Sequence, residues 1–437
     1  MRNPTFYTRR TFLKRAALGG ALCSSVPSFL SSTFRAMAAD QRGPLQVETG
    51  SNGRIFVLLQ LAGGNDGLNT LVPFDNDHYH RARPSLRLKK SQLIELNPEF
   101  ALHNALSGFK ELYDAGNLSI IHGVGYPNPN RSHFRSTEIW HTACDANKVE
   151  KYGWLGRYFD HSCKGSDPTV GINIGRQTPQ VFAAKNPLGI SLDNPENYKI
   201  RKNHQGAGEK VMSMNGEMLS DDNDSPEGET ISAIGGSSKS GLAPLDFLER
   251  TTLDAQVSSE KILAVTRKTR VEGNYPNSSL GRSMKLAAQL IGGNLPTRVY
   301  YLSQGGYDTH TNQPGAHQRL LSDLSGSIQA FVQDMKAQKN FERVVLMTFS
   351  EFGRRTAENA NTGTDHGAAA PLFILGSKVK GGFLGKPPGL APADLTPGGD
   401  LKYGVDFRSV YAGILDRWLE VPSAPILGRK FEPLNFI

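Results

Sequence analysis

Cysteine is scarce in this chain. Of three among 437 residues, Cys23 lies in an N-terminal stretch with the marks of a removable leader, and Gly20-Ala21-Leu22 before it is a poor lipoprotein signal. Cys144 and Cys163 remain. An oxidising compartment permits one disulfide between them, and two unpaired thiols fit equally well. No flavin, haem or iron–sulfur ligand set is present, which sets redox chemistry aside. Long apolar runs are missing too. The longest candidate, Ala16 to Leu30, is broken by glycine, serine and Pro27, and it falls short of the roughly 18 residues a bilayer span needs. No internal repeat is visible.

Strong net charge is also absent, once the first 38 residues are set aside. The whole chain carries +8, but Arg2, Arg9, Arg10, Lys14, Arg15 and Arg35 supply six of the 49 basic residues. All 41 acidic residues follow them, so the remainder stands at 43 basic against 41 acidic. A nearly neutral body argues against nucleic acid as a partner. About 400 residues bury a substantial core, and a single domain over 39–437 is expected.

The N-terminal stretch has an order of its own. Thr8-Arg9-Arg10-Thr11-Phe12-Leu13-Lys14 precedes the weakly apolar run, and Ala36-Met37-Ala38 closes it. A charged region, an apolar region and an A-x-A site make a signal peptide, and the arginine pair marks the twin-arginine (Tat) route. Export by the Tat translocase to the periplasm or beyond follows, for a protein that folds before it crosses.

Short apolar runs at Ile55–Leu61, Leu118–Val124, Val299–Leu302, Val344–Phe349 and Leu372–Leu375 predict buried strands of a parallel sheet. Leu321, Leu324, Ile328, Phe331, Val332 and Met335 recur at helical spacing within Ala316–Ala337. Met284 to Ile291 and Val410 to Trp418 predict two more helices. Strands alternating with helices argue for a layered α/β fold. Residues 203–241, rich in Gly, Ser, Asp and Asn, read as a surface excursion.

Polar clusters accompany the predicted strands, and ligands of open α/β sheets bind beyond the carboxyl ends of strands. Gly63-Gly64-Asn65-Asp66-Gly67-Leu68-Asn69 turns sharply and presents Asp66. In Arg131-Ser132-His133-Phe134, Ser132 sits at a helix start, either as a plain N-cap or as an activated nucleophile. Tyr307-Asp308-Thr309-His310 pairs a carboxylate with an imidazole, which suits a divalent ion or a structural hydrogen bond. His317, further along, reads as helix surface. Ser350-Glu351-Phe352-Gly353-Arg354 offers Glu351 as ligand or base and Arg354 as an anion clamp. Gly363-Thr364-Asp365-His366-Gly367 adds a second Asp–His pair.

These motifs, in this order behind such a leader, resemble the secreted bacterial family catalogued as domain of unknown function 1501. That family in turn resembles the alkaline phosphatase and sulfatase superfamily. The resemblance implies an alkaline-phosphatase-like α/β/α sandwich with a mostly parallel central sheet, and a metal-centred site for phosphate or sulfate esters. It implies Asp66, Asp308, His310, Glu351 and His366 as ligands of one or two divalent ions (Zn, Mn, Mg or Ca). It also implies Ser132 as nucleophile, with Arg131 and Arg354 on the ester oxygens. Phe352 stands where the superfamily pattern has a histidine ligand. Matching Asp365-His366-Gly367 to that element instead would leave no later histidine for the last ligand. A metal-dependent hydrolase acting on an anionic ester is therefore expected. The alternative is a non-catalytic secreted protein that binds a surface polymer on the same scaffold.

Overall fold

A computed structural model describes residues 53–163, 166–186, 188–192 and 261–437. The expected leader at 1–38 and the excursion at 203–241 lie outside these residues. The strands are β1 (Ile55–Leu61), β2 (Leu71–Val72), β3 (Leu93–Glu95), β4 (Ala101–His103), β5 (Leu118–Gly125), β6 (Gly171–Ile174), β7 (Ile190–Leu192), β8 (Val299–Gln304), β9 (Val344–Phe349), β10 (Ala370–Leu375), β11 (Gly382–Leu384) and β12 (Val405–Asp406). The main helices are α1 (Asp77–Ala82), α2 (Ser107–Asp114), α3 (His133–Thr142), α4 (Trp154–Ser162), α5 (Ser279–Gly292), α6 (Gln313–Ala337) and α7 (Phe407–Gly413).

The large sheet runs β11-β5-β10-β9-β1-β8-β6-β7, with β12 also paired to β5. β1 lies at its centre, parallel to β8 on one side and β9 on the other, with Leu59 level with Leu302 and Thr348. Successive side chains of a strand point to opposite faces, and β1 supplies both cores. Ile55, Val57, Leu59 and Leu61 pack with α2, α5 and α6, while Phe56 and Leu58 pack with α3, α4 and α7. Helices on both faces of a mostly parallel sheet make the expected sandwich. Beside it sits an antiparallel sheet, β2-β4-β3. Its short strands carry no run long enough to be read in the sequence.

β10 departs from expectation. It is antiparallel to both β5 and β9. Residues 350–369 between β9 and β10 contain no helix, so the chain has no crossover to carry it back for parallel pairing. It returns directly along the edge it left. The residues just before β10 therefore lie at the same edge as the residues just after β1, β8 and β9.

The helices follow their apolar periodicity. Ser278 caps α5 by accepting from the Gly281 N–H at 2.8 Å. Leu321, Leu324, Ile328, Phe331 and Met335 of α6 are all buried. His317 is buried rather than on the helix surface, because its ring closes over the first loop, with Nε2 3.0 Å from Asn65 Oδ1. Cys144 and Cys163 are both unpaired, and burial raises the Cys163 thiol to about 11. Among the described residues no helix is long and apolar enough to cross a membrane.

Three buried histidines resist protonation because burial penalises the charged ring. His122 and His317 are lowered to about 4, and His141 to about 3. Unfolded histidines titrate near 6.5. Between those values the unfolded chain binds protons that the native rings refuse, so stability falls as pH drops. Tm is accordingly expected to decline from pH 7 to pH 4, and His141→Asn should flatten part of that slope. A Tm independent of pH over this range would contradict the buried, neutral assignment.

Candidate metal centre

The site is built at the edge described above. Gly63 and Gly64 turn the chain out of β1 with φ of +119° and +76°. A Cβ on Gly63 would stand 2.4 Å from the Asp308 backbone nitrogen, so only glycine lets the loop after β1 touch the loop after β8. Arg354, whose side chain is fully buried, knots these loops together. Its Nε donates to the Gly64 carbonyl at 2.6 Å, and Nη1 to the Thr364 carbonyl at 2.7 Å. Nη2 donates to the carbonyls of Gly63 and Tyr307 and to Asp308 Oδ1, the last at 2.7 Å.

Asp308 is the hub. Its Oδ1 lies 3.1 Å from His310 Nε2 and 3.1 Å from His366 Nε2, and its Oδ2 lies 3.4 Å from His133 Nε2. Partial burial pulls its acidity one way, but the hydrogen bond and positive charge of Arg354 outweigh it and hold the carboxyl at about 2. His310 Nε2 also stands 2.9 Å from His366 Nε2.

The other ring nitrogens decide what these Nε2 atoms are. His133 Nδ1 is 2.8 Å from Glu351 Oε1, which also accepts from the Gly63 N–H. His310 Nδ1 is 3.2 Å from Asp365 Oδ1. His366 Nδ1 is 2.7 Å from the Arg131 carbonyl. Each of these partners is an acceptor, and in the neutral tautomer that donates to it from Nδ1 the Nε2 is a lone pair facing Asp308. The donor atoms of His133, His366 and Asp308 thus converge, all within 4.8 Å of one another, and His310 stands against His366. His310 Nε2 and His366 Nε2, 2.9 Å apart, either share a proton in a hydrogen bond or flank a cation. His133 Nε2 is buried and has no hydrogen-bond partner. A tetrahedral ion with bonds of about 2.0–2.1 Å sets its donors about 3.3 Å apart, close to these contacts. The donor set fits a borderline ion such as zinc better than magnesium or calcium, which prefer all-oxygen shells.

Three expected ligands, Asp308, His310 and His366, do come together. Asp66 does not join them. It is fully buried against Arg83, whose Nη1 donates to Oδ2 at 2.6 Å, and Gln313 Nε2 donates to the same oxygen. Burial opposes its ionisation, but the charge and hydrogen bond of Arg83 lower its pKa nonetheless. Glu351 is buried and orients His133 in place of coordinating directly. Arg354 cannot clamp a substrate, since its guanidinium is enclosed and spent on the loops. Arg131 turns its side chain to buried Asp400. Ser132 is the position before α3 and is exposed, and its hydroxyl caps nothing. His133 was missed in the sequence, although it lies in the quoted Arg-Ser-His-Phe motif. The hydroxyl drew attention there because nothing local indicates that Glu351, far along the chain, fixes the neighbouring ring.

Phe352 occupies the space beside the cluster. Its ring centroid is 4.8 Å from that of His133 and 4.6 Å from that of His366. The cluster opens into a cleft of about 1340 Å³, which Asp308, His133 and Glu351 help to line.

A mostly parallel α/β sandwich with a histidine–carboxylate cluster at the carboxyl edge of its sheet is the class these observations define. Within that class, the chain belongs to the family described as protein of unknown function (DUF1501), whose model matches residues 122–428. No curated protein matches it. Solved structures that resemble it do so distantly. The C-terminal periplasmic domain of EcEptC from Escherichia coli, in complex with zinc, shares 9% identity over 76% of this chain and 75% of its own, with a TM-score of 0.37. The PsFucS1 sulfatase from Pseudoalteromonas sp. shares 10% over 94% and 75%, at 0.33. A protein in the alkaline phosphatase superfamily from Vibrio parahaemolyticus shares 8% over 82% and 70%, at 0.30.

The Asp66–Arg83 pair is expected to be structural. Arg83→Met, which strands a buried carboxylate, should cost about 3–5 kcal/mol. Adding Asp66→Leu should recover most of that loss in a urea titration. A single variant as stable as the parent would refute the pairing.

Proposed function

We propose that this is an exported, metal-dependent hydrolase of phosphate or sulfate esters. The observation that carries the proposal is the convergence of His133 and His366 on the Asp308 carboxylate, with His310 Nε2 3.1 Å from the same carboxylate. His133, His366 and Asp308 would hold a single divalent ion, with His310 packed against His366 and Asp308 beside it. Such an ion supplies a Lewis acid that polarises the ester and lowers the pKa of a nearby hydroxyl. The chain's own residues set the conditions. Glu351, Asp365 and the Arg131 carbonyl keep each Nδ1 protonated, and Arg354 keeps Asp308 ionised. The proposed nucleophile is the Ser132 hydroxyl, which lies between the residue that holds His366 and the residue that offers His133. Its oxygen bonds to phosphorus or sulfur as the ester alcohol leaves and takes up a proton. Water then releases phosphate or sulfate and restores the serine.

Elemental analysis of protein purified without chelator is expected to find about one ion per chain, absent from an Asp308→Ala/His366→Ala variant. Ser132→Ala should retain the ion and lose turnover of p-nitrophenyl phosphate or sulfate. No metal in the folded parent would overturn the centre, and full turnover by Ser132→Ala would remove the serine from the mechanism.

A second reading, a non-catalytic secreted binding protein, is favoured by Phe352 and by the diversion of Asp66, Arg131 and Arg354 from the site. Metal bound with no turnover of either ester would support it. The twin-arginine motif supports a location outside the cytoplasm in both readings. Arg9→Lys/Arg10→Lys is expected to keep the full-length chain in the cytoplasm on cell fractionation, and normal export would refute that route.

A further inference from the structure

The cleft beside the cluster carries an inference about what enters it. Two buried amides line its floor. Gln60, 7% exposed, accepts from the Tyr301 hydroxyl, which is itself 3.0 Å from His141 Nε2. With its oxygen engaged there, the amide N–H₂ of Gln60 has no partner among the described residues. Asn173, 3% exposed, donates to the Gln177 carbonyl at 2.8 Å and to Ser191 Oγ at 3.0 Å. Its Oδ1 accepts from nothing described. One free amide donor and one free amide oxygen thus line the same cleft. Hydroxyl groups, which both donate and accept, can pair with each of them.

The rim adds an aromatic face and positive charge. Phe134 is 90% exposed yet lines the cleft one residue from His133. A fully exposed ring on a helix contributes nothing to the core. Beside a polar cleft it offers a flat apolar surface for the C–H face of a sugar ring. Arg282 and Lys285 of α5 line the same cleft and are exposed. Among the described residues Arg282 donates to neutral oxygens of Asn277 and Ser279, and neither Arg282 nor Lys285 has an ion pair.

We propose that the cleft binds an anionic glycan: a saccharide carrying sulfate or phosphate, with the charged group near the histidine cluster and the sugar ring on Phe134. Gln60 and Asn173 take its hydroxyls, and Arg282 and Lys285 take further anionic groups along the chain. The substrate class named here rests on the ester-hydrolase reading, but the binding does not require turnover.

The test is therefore binding by the full-length protein purified without chelator, measured by calorimetry. Dextran sulfate oligosaccharide is compared with polyvinyl sulfonate, which has the charge without the sugar, and with neutral dextran. Dextran sulfate is expected to bind about tenfold or more tightly than either. Phe134→Ala should weaken it by about five- to tenfold, the scale of one aromatic contact. Arg282→Ala/Lys285→Ala should remove most of its salt dependence. Phe134 is exposed and outside the core, so its replacement leaves folding intact. Equal binding of polyvinyl sulfonate, an unchanged Phe134→Ala variant, or no binding of dextran sulfate would each overturn the proposal. Failure of the hydrolase reading shows separately, as glycan binding without metal or turnover.

Discussion

The Arg354 guanidinium holds the functional edge of this protein together. From one buried point it donates to the carbonyls of Gly63 and Gly64 after β1, of Tyr307 after β8 and of Thr364 before β10. It adds the Asp308 carboxylate to the same knot. Backbone carbonyls buried in loops need donors, and a rigid five-donor fork serves several at once. Its charge also keeps Asp308 ionised, so one side chain sets both the placement and the charge state of the hub.

The histidines depend on that placement but derive their character from a further layer of contacts. A ring whose Nδ1 donates outward can only offer Nε2 inward as a lone pair. Glu351, Asp365 and the Arg131 carbonyl each impose this on one ring. Outer contacts of this kind raise ligand basicity and fix ring orientation. Glu351 and Asp365 therefore act on the cluster through the histidines, and the negative charge they add makes a bound cation more favourable.

Much of the fold was legible. The runs at Ile55–Leu61 and Val344–Phe349 are strands as expected, and the periodicity from Leu321 to Met335 is the buried stripe of α6. Burial on both faces writes itself into a strand as an unbroken apolar run, and a helix on a sheet writes a three-four repeat. The site was legible in part. Asp308, His310 and His366 could be named because glycine-rich turns after or before strands mark the edge where ligands bind. His133 and the true partners of Asp66 could not, because each depends on a residue hundreds of positions away or on another loop.

By itself, then, the sequence determined the long buried strands β1, β5, β8, β9 and β10, the apolar faces of α5 and α6, which loops carry the chemistry, and which family the chain matches. Those properties are local and repeat at fixed spacing. Only the tertiary structure decided that β10 runs against its neighbours, which carries His366 to the edge shared with Asp308. Only it decided that Asp66 answers Arg83 while Glu351 answers His133. Pairing direction depends on how the connection returns, and a carboxylate's role depends on which charge it meets after folding. Neither is written in spacing along the chain.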